Sequence, residues 1–314
     1  MSSAPIAVVF EQPGQMNLRP VGLPLPEAGD CVVEVEWTGI STGTERLLWD
    51  GRMPPFPGLG YPLVPGYECV GRIQSRSGEA GPEPGTRVFV PGSRGFTDVR
   101  GLFGGAAAQL VVPGERLVSL ADSAGEESVL LALAATAHHA AKRAGDALPQ
   151  LIIGHGVLGR LLARLVIALG GEAPTVWETS AARRSGASHY PVIDPSDDTR
   201  SDYRSICDVS GDANLLDTLI GRLGPGGQLL LAGFYHEPLH FQFAPAFSRE
   251  IDIRVAAEWQ PADMEAAAAL VASGDLSLAG LISHRQPATH AESAYRTAFG
   301  DPDCIKMILD WRDQ

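Results

Sequence analysis

Short apolar stretches rich in β-branched residues alternate with turn-forming residues in the N-terminal part of the chain. Clusters such as PG, AGD and SGEAGPEPG separate the stretches, and such Gly- and Pro-containing clusters are typical of turns between strands. The pattern predicts strands at Ile6–Phe10, Cys31–Trp37, Val70–Ile73, Arg87–Val90 and Leu110–Val112. Residues 51–66 are too rich in Pro and Gly for regular structure, so we expect a surface loop there.

From Glu126 onward the apolar positions change to an alternation of helices and strands. The first helix is predicted over Glu126–Ala144, which has acidic residues at its start and basic residues near its end. Further strands are predicted at Leu151–Ile153, Thr175–Glu178, Ile206–Val209, Gln228–Ala232, Ile251–Ala257 and Cys304–Leu309, and helices at Leu158–Leu169, Asn214–Leu223 and Asp263–Ser273. This alternation predicts an α/β fold with a doubly wound parallel sheet that follows a β-rich domain.

Composition and charge narrow the possible classes of partner. The 314 residues are enough for about two domains, and the formal net charge of −13 argues against nucleic acid and against docking on anionic lipid. No segment is long and apolar enough to span a membrane, and the N-terminus lacks the pattern of a signal peptide. The 4 cysteines are scattered, as in reduced intracellular proteins. We therefore expect a cytoplasmic protein without an integral membrane segment.

The strongest local motif is LIIGHGVLGRLL at Leu151–Leu162, where a GxGxxG turn joins an apolar strand to an apolar helix. The first glycine allows a tight turn, the second allows the backbone to approach a pyrophosphate, and the third lets the helix pack closely on the strand. Free N–H groups at the helix N-terminus favour phosphate binding. The motif predicts a dinucleotide site that includes Gly154, His155, Gly156, Val157, Leu158 and Gly159. The alternative is a glycine-rich turn that serves packing alone.

An acidic residue near the end of the second strand of this unit indicates which dinucleotide is preferred. Glu178 stands where a carboxylate can accept hydrogen bonds from both ribose hydroxyls and repel a 2′-phosphate, which favours NAD over NADP. Arg183 and Arg184 follow a few residues later and complicate this preference, since arginines there can bind a phosphate. We count Arg183, Ser210 and Gly233 among the candidate cofactor contacts.

Several motifs together resemble the medium-chain dehydrogenase/reductase superfamily over essentially the whole chain. The matching segments are GISTGTE (Gly39–Glu45), VPGYECVG (Val64–Gly71), GTRVFV (Gly85–Val90), the GHGVLG turn, GPGGQLLLAG and the terminal IKMILDW. The resemblance implies a GroES-like catalytic domain of residues 1–125 and 261–314, a Rossmann NAD-binding domain of residues 126–260, and NAD as cofactor. Since the superfamily commonly pairs through the last strand of its cofactor domain, we expect a homodimer through Ile251–Ala257.

Two of these segments resemble the zinc-site motifs of the superfamily but carry other side chains. Ser41 stands at the usual cysteine position and Tyr67 at the usual histidine position, while Glu68 is kept. Hydroxyl and phenol oxygens are poor zinc ligands compared with thiolate and imidazole. We therefore predict no metal at this site.

A longer resemblance covers MNLRPVGLP, residues 38–68 and the GHGVLGRLLARL turn, and it points to one branch of the superfamily. It implies a tetrapyrrole substrate and NAD-dependent oxidation of the 3-(1-hydroxyethyl) group of a bacteriochlorophyllide to a 3-acetyl group. The Pro- and Gly-rich loop would then offer the macrocycle an apolar wall made of Trp49, Met53, Phe56, Leu59 and Tyr61. An ordinary core beneath the loop is the alternative interpretation of these side chains.

Without zinc, the oxidation needs a side chain that handles the proton of the alcohol. Tyr67 is the first candidate, and its pKa would have to be lowered by a nearby positive charge. Ser41 could relay the proton or position the hydroxyl, Glu68 could act as base or orient Tyr67, and His138 is an alternative base. The alternatives are that Tyr67 only fills the space of a lost metal and that Glu68 pairs with an arginine in a structural ion pair.

Two other functions are compatible with the same motifs. A zinc-free quinone or enone reductase shares the architecture, but such enzymes usually prefer NADPH, which Glu178 disfavours. A protein of another class, a non-catalytic NAD-binding sensor or assembly module, would explain the loss of two zinc-site residues.

Overall fold

The computed structural model describes residues 4–187 and 189–312 of the chain. Within these residues, contacts divide the chain into two compact units, the first made of the residues up to Leu130 and from Ile282 onward and the second of the residues between them. The sequence analysis expects these boundaries after residues 125 and 260. The second boundary lies later because the helix of residues 261–273 packs on the helix of residues 131–144. The predicted outer ends at residues 1 and 314 lie outside the described residues.

The strands and helices are numbered here in chain order. The strands are β1 (Ile6–Gln12), β2 (Gln15–Pro20), β3 (Asp30–Ile40), β4 (Leu63–Val64), β5 (Cys69–Arg76), β6 (Arg87–Val90), β7 (Arg100–Gly101), β8 (Gln109–Pro113), β9 (Val118–Ser119), β10 (Leu151–Ile153), β11 (Thr175–Trp177), β12 (Val192–Ile193), β13 (Tyr203–Asp208), β14 (Leu223–Leu231), β15 (Asp252–Val255), β16 (His284–Pro287) and β17 (Met307–Asp310). The helices are α1 (Thr44–Trp49), α2 (Leu131–Ala144), α3 (Val157–Ala168), α4 (Leu216–Arg222), α5 (Phe243–Arg249), α6 (Pro261–Ser273) and α7 (Ala291–Gly300).

The first unit is built on two sheets. A four-stranded sheet has the order β2-β1-β4-β7, and a seven-stranded sheet has the order β16-β17-β3-β5-β6-β9 with β8 also paired to β3. The apolar side chains of β1, β3 and β8 enter one continuous core that also includes Tyr295 of α7. The C-terminal strand β17 lies antiparallel to β3, with Met307 opposite Ile40. This pairing places the residue before β17, Lys306, beside the end of β3, where the candidate residue Ser41 follows.

The second unit is a parallel sheet in the order β12-β11-β10-β13-β14-β15. The central strand β10 is apolar and fully buried, as expected for a strand with helices over both faces of its sheet. The strand order reverses at β10, because β11 lies on one side of it and β13 on the other. In open sheets of this kind, ligands bind beyond the carboxyl ends of the strands at such a reversal.

The predicted strands of both units are present, and their bounds differ mostly by a few residues. The predicted helix from Glu126 begins with a 3-10 turn over Glu126–Leu130 and becomes α-helical at Leu131. The elements that the sequence analysis did not predict are β2, β4, β7, β9, β12, β16, α1, α5 and α7. Most of these are too short for a periodic apolar pattern, whereas α7 is long enough but was missed. Among the described residues, no helix has the length and apolar character needed to cross a membrane.

Candidate functional site

The turn between β10 and α3 has the geometry that the glycine motif predicts. Gly154 has a φ of +100°, a conformation that side chains other than glycine rarely adopt. A Cβ atom on Gly159 would lie 1.9 Å from the carbonyl oxygen of Gly154, so only glycine lets the helix approach the strand this closely. A Cβ atom on Gly156, the N-cap of α3, would meet no atom within 4 Å. The second glycine therefore leaves open space in front of the helix N-terminus, where Val157 and Leu158 begin the first turn.

Glu178 follows β11 directly and its carboxylate lies against this turn. One carboxylate oxygen accepts the backbone N–H of His155 at 3.1 Å, and the other accepts the backbone N–H of Ser180 at 2.8 Å. The side chain is half-buried. The structure thus brings the predicted ribose-binding carboxylate next to the glycine turn.

The side chain of His155 points away from this turn and is fully buried. Its Nδ1 lies 2.6 Å from the carbonyl oxygen of Arg183 and its Nε2 lies 3.0 Å from the hydroxyl of Tyr190. Burial lowers the pKa of His155 to about 4, so the ring is neutral at physiological pH. Only the backbone of His155 is available as a predicted cofactor contact, and its imidazole has a structural role.

Two arginines hold the loop that follows β11. Arg160 of α3 is buried and donates to the carbonyl oxygens of His155, Arg183 and Ser185. Arg184 donates to the carbonyl oxygen of Glu178 and pairs with Asp194 at 2.7 Å. The guanidinium of Arg184 is therefore used within the protein, which weakens its case as a ligand for a 2′-phosphate.

The other two candidate cofactor contacts lie beyond the carboxyl ends of β13 and β14. Ser210 donates its hydroxyl and its backbone N–H to the carboxylate of Asp208, which is fully buried and also accepts the hydroxyl of Tyr235 at 2.7 Å. Burial raises the pKa of Asp208. A Cβ atom on Gly233 would lie 2.6 Å from the backbone nitrogen of Gly211, so this glycine permits a close approach of two backbone segments. The sequence analysis missed Asp208, which holds Ser210 in place.

In the first unit, three hydroxyl groups meet at the end of β3 and the start of α1. The hydroxyl oxygens of Ser41 and Tyr67 are 3.0 Å apart, and Tyr67 also forms a side-chain hydrogen bond with Thr44. Burial and the negative charge of Glu68 raise the pKa of the Tyr67 phenol far above its usual range. The side chains around Tyr67 therefore do not supply the lowering of its pKa that a phenolate base would need. The sequence analysis missed Thr44, although it lies within the same motif as Ser41.

Glu68 is buried and forms an ion pair with Lys306, which is itself only 1% exposed. Lys306 also donates to the carbonyl oxygen of Ile40 at 3.1 Å. Burial raises the pKa of Glu68, and the charge of Lys306 opposes that rise. The carboxylate is thus engaged in a buried ion pair, as in the structural alternative stated for Glu68, but its partner is a lysine and not the expected arginine.

A second buried carboxylate, Glu45 of α1, holds the backbone at Ser41. It accepts the backbone N–H of Ser41 at 3.0 Å and the hydroxyl of Tyr295 at 2.6 Å. Burial raises the pKa of Glu45 to about 7. Glu45 is part of the GISTGTE motif, but no local pattern connects it with Tyr295, which lies on the distant helix α7.

His138 belongs to the second unit, where it shares a carboxylate with its neighbour. The Nδ1 atoms of His138 and His139 lie 3.0 and 2.7 Å from the two oxygens of Asp263. Burial opposes ionisation of Asp263, but the backbone N–H of Gln260 and the two imidazoles together lower its pKa. The arrangement joins α2 to the start of α6 and gives His138 a structural partner, which is a poor setting for the predicted alternative base.

The residues at the former zinc position do not fit a zinc ion. Ser41 and Tyr67 present neutral oxygens bonded to each other, and the carboxylate of Glu68 is paired with Lys306. Across residues 4–187 and 189–312, no group of three or more His, Cys, Asp or Glu side chains is placed to hold a metal ion.

Comparison with known proteins agrees with this description. The sequence profile of the alcohol dehydrogenase GroES-like domain matches residues 27–122. The crystal structure of L-idonate 5-dehydrogenase from Escherichia coli has the same fold, with a TM-score of 0.86 at 20% identity over 98% of each chain. A GroES-like unit in one chain with a doubly wound α/β unit of this topology defines the medium-chain dehydrogenase/reductase superfamily.

Two relatives are far more similar in sequence. A 2-desacetyl-2-hydroxyethyl bacteriochlorophyllide A dehydrogenase from Rhodobacter capsulatus is 55% identical over 307 residues, and one from Cereibacter sphaeroides is 57% identical over 311 residues. Each match covers 98% of this chain and 98% of the relative. Within the superfamily, the chain belongs to the family of the 2-desacetyl-2-hydroxyethyl bacteriochlorophyllide A dehydrogenases.

Proposed function

We propose that this protein oxidises the hydroxyethyl substituent of a bacteriochlorophyllide to an acetyl group, with NAD as the acceptor. The observation that carries the proposal is the identity of 55% and 57%, over nearly the full length, to two dehydrogenases named for the hydroxyethyl pigment. Groups that such a reaction needs are supplied by the glycine turn of the second unit and by the hydroxyl cluster of the first, which consists of Ser41, Thr44 and Tyr67.

The dinucleotide would be held by the second unit. The open space at Gly156 and the N–H groups of the first turn of α3 suit a pyrophosphate, and the carboxylate of Glu178 suits the two ribose hydroxyls. A 2′-phosphate beside Glu178 would bring two negative charges together, so NAD is preferred over NADP. When bound, the nicotinamide ring supplies the acceptor for the hydrogen that leaves the carbinol carbon with its electron pair.

The proton of the alcohol would be handled by the first unit. Because the pKa of Tyr67 is raised, the phenol keeps its proton near neutral pH and acts as a relay instead of a phenolate base. Its oxygen accepts the proton of the substrate hydroxyl as its own proton passes to Ser41 or Thr44, the two side chains bonded to it, and the accepting hydroxyl releases its own proton toward solvent. Ser41 is held by Glu45 and is nearly buried, whereas Thr44 is partly exposed and offers the way to solvent.

The reaction is proposed to need no zinc, because the side chains at positions 41, 67 and 68 do not fit that metal. Treatment with a strong chelator is expected to leave turnover unchanged, and metal analysis of the active protein is expected to find zinc far below one equivalent. A stoichiometric zinc ion whose removal abolishes turnover would refute this part of the proposal.

The direct test is incubation of the pure protein with NAD and the hydroxyethyl pigment. Oxidation extends the conjugation of the macrocycle, so we expect a shift of its long-wavelength absorption together with the appearance of NADH. Glu178→Gln is the matched variant for cofactor choice, and its preference for NAD over NADP is expected to fall about tenfold. A protein that binds NADH but oxidises no secondary alcohol would instead be the non-catalytic module.

A further inference from the structure

A line of three aromatic rings leads from the surface of the first unit to the hydroxyl cluster. The ring centres of Phe56 and Phe103 are 6.4 Å apart, and those of Phe103 and Tyr67 are 5.2 Å apart in an edge-to-face arrangement. Phe56 is 42% exposed at one end of the line, whereas Phe103 and Tyr67 are half-buried. The line therefore ends at the hydroxyl that is proposed to receive the proton of the substrate.

The backbone at Phe103 is in a conformation that a bulky side chain rarely adopts. Its φ is +31°, and the next residue, Gly104, has a φ of +71°. A bulky residue with a positive φ costs roughly 1–3 kcal/mol and persists only where other contacts hold it. Such strain is common at binding sites, and a glycine at this position would have removed it.

The other side chains of the predicted apolar wall are less exposed than Phe56. Trp49, Met53, Leu59 and Tyr61 pack against the core of the first unit, so they contribute to the fold beneath the loop. Phe103 packs against the same core on one side and reaches the exposed Phe56 on the other. Phe103 could not be linked to the loop from the sequence, because it lies more than 35 residues beyond the end of the loop in the chain.

We propose that Phe103 and Phe56, whose ring planes are inclined by 56°, form an aromatic platform that the tetrapyrrole contacts with the face of one ring and the edge of the other, and that Phe103 determines specificity for this substrate class. The inference rests on the proposed oxidation of the hydroxyethyl pigment. A large planar apolar ligand gains contact area from aromatic side chains, and each aromatic pair adds about 0.5–1.5 kcal/mol beyond that area. Contact along this line would bring a substituent at the edge of the macrocycle to the Tyr67 hydroxyl.

The test compares Phe103→Leu, which keeps an apolar side chain but loses the flat ring, with Phe103→Tyr, which keeps the ring. We expect Phe103→Leu to raise KM for the hydroxyethyl pigment about tenfold with a much smaller change in kcat, and Phe103→Tyr to restore most of the loss. Phe56→Leu, at an exposed position where unfolding is not expected, should raise KM severalfold. Phe96→Leu is the matched control, since Phe96 is also half-buried against the same core but lies outside the line.

Two further measurements separate the possible failures. The dissociation constant of NADH is expected to be the same in all four variants and in the wild type. Binding of the pigment, followed by fluorescence quenching without NAD, should weaken in Phe103→Leu and Phe56→Leu even if no turnover occurs. If the wild type does not oxidise the pigment, the proposed function fails. If it does, and Phe103→Leu keeps the wild-type KM and pigment affinity, the platform is refuted.

Discussion

Tyr67 lies among groups that keep its phenol protonated. It is bonded to Ser41 and Thr44, and the nearby Glu68 carries a negative charge that disfavours a phenolate. A relay role follows, in which the hydroxyl accepts one proton as it gives up another. The neighbouring ion pair of Glu68 and Lys306 stabilises the backbone beneath the relay, because Lys306 also bonds to the carbonyl oxygen of Ile40.

Tyr67→Phe removes the relay hydroxyl and keeps the ring that packs on Phe103. We expect kcat with NAD and the hydroxyethyl pigment to fall about 100-fold, the size of a typical contribution from a proton-transferring side chain. KM for NAD and the thermal midpoint are expected to change little. Steady-state kinetics measure the effect, and unchanged turnover would remove Tyr67 from the mechanism.

Glu45 makes the stability of the protein depend on pH. Its pKa is about 7 in the fold against an ordinary value of 4.5, so the folded protein holds a proton that the unfolded chain has released between these two pH values. The stabilisation is therefore fully present below pH 4.5 and is lost as the pH rises through about 7. The loss amounts to about 3 kcal/mol.

The matched variant is Glu45→Gln, which cannot titrate. Urea unfolding at several pH values should show the free energy of unfolding of the wild type falling relative to the variant between pH 4.5 and 7. Taking the difference removes the contributions of other titrating groups such as His155, whose lowered pKa acts in the opposite direction. A difference that stays constant over this range would show that folding does not raise the pKa of Glu45.

In the turn from β10 to α3, Gly156 and Gly159 have different roles, one in cofactor binding and one in packing. Gly159→Ala places a Cβ atom 1.9 Å from the carbonyl oxygen of Gly154, and forcing the helix off the strand is expected to lower the free energy of unfolding by about 1–3 kcal/mol. Gly156→Ala meets no neighbouring atom, and its φ of −70° suits any residue. Its stability is expected to fall by less than about 1 kcal/mol.

Gly156→Ala, which should affect stability less than Gly159→Ala does, is expected to weaken cofactor binding more. The methyl group of Gly156→Ala would occupy the space in front of α3, so we expect the affinity for NADH to fall at least tenfold, as measured by fluorescence titration. Gly159→Ala should bind NADH with a smaller loss as long as it is folded. If Gly156→Ala binds NADH as well as the wild type does, the turn is a packing motif and the pyrophosphate lies elsewhere.

For the molecule as a whole, the edge strand of the second unit favours association of two chains. Strand β15 is at the edge of the six-stranded sheet, and its side chains Ile253 and Val255 are 39% and 63% exposed. An apolar edge strand of this kind favours pairing with another strand. We therefore keep the expectation of a homodimer through this strand as a prediction.

The double variant Ile253→Lys, Val255→Lys tests this prediction, since charged side chains on an edge strand oppose pairing. Light scattering after size exclusion is expected to give the mass of two chains for the wild type and of one chain for the variant. The single variant Leu25→Lys, at a residue that is 89% exposed in the first unit, is the control and should leave the mass unchanged. A wild type with the mass of one chain would contradict the prediction.

Local patterns in the sequence predicted much of the architecture. The strands of the second unit follow from apolar runs bounded by turn residues, and the turn at Gly154 follows from spacing, because both are set by neighbours in the chain. The division of the chain by contacts differs from the predicted bounds of the domains at residues 261–281. Residues 261–273 form an alanine-rich helix whose sequence does not assign it to either unit, and packing against α2 places it in the second unit.

Ser41, Tyr67 and Glu68 could be singled out from the chain, since they occupy recognisable motif positions. The partner of Glu68 could not, because Lys306 lies more than 200 residues away in the chain, and the same holds for Tyr295, the equally distant partner of Glu45. These long-range contacts set the protonation of the site: burial beside Glu68 keeps Tyr67 neutral, and the Tyr295 hydroxyl meets a carboxylate whose pKa is about 7. Sequence spacing encodes what adjacent residues do to one another, whereas desolvation and ion pairing depend on which distant residues the folded chain brings together.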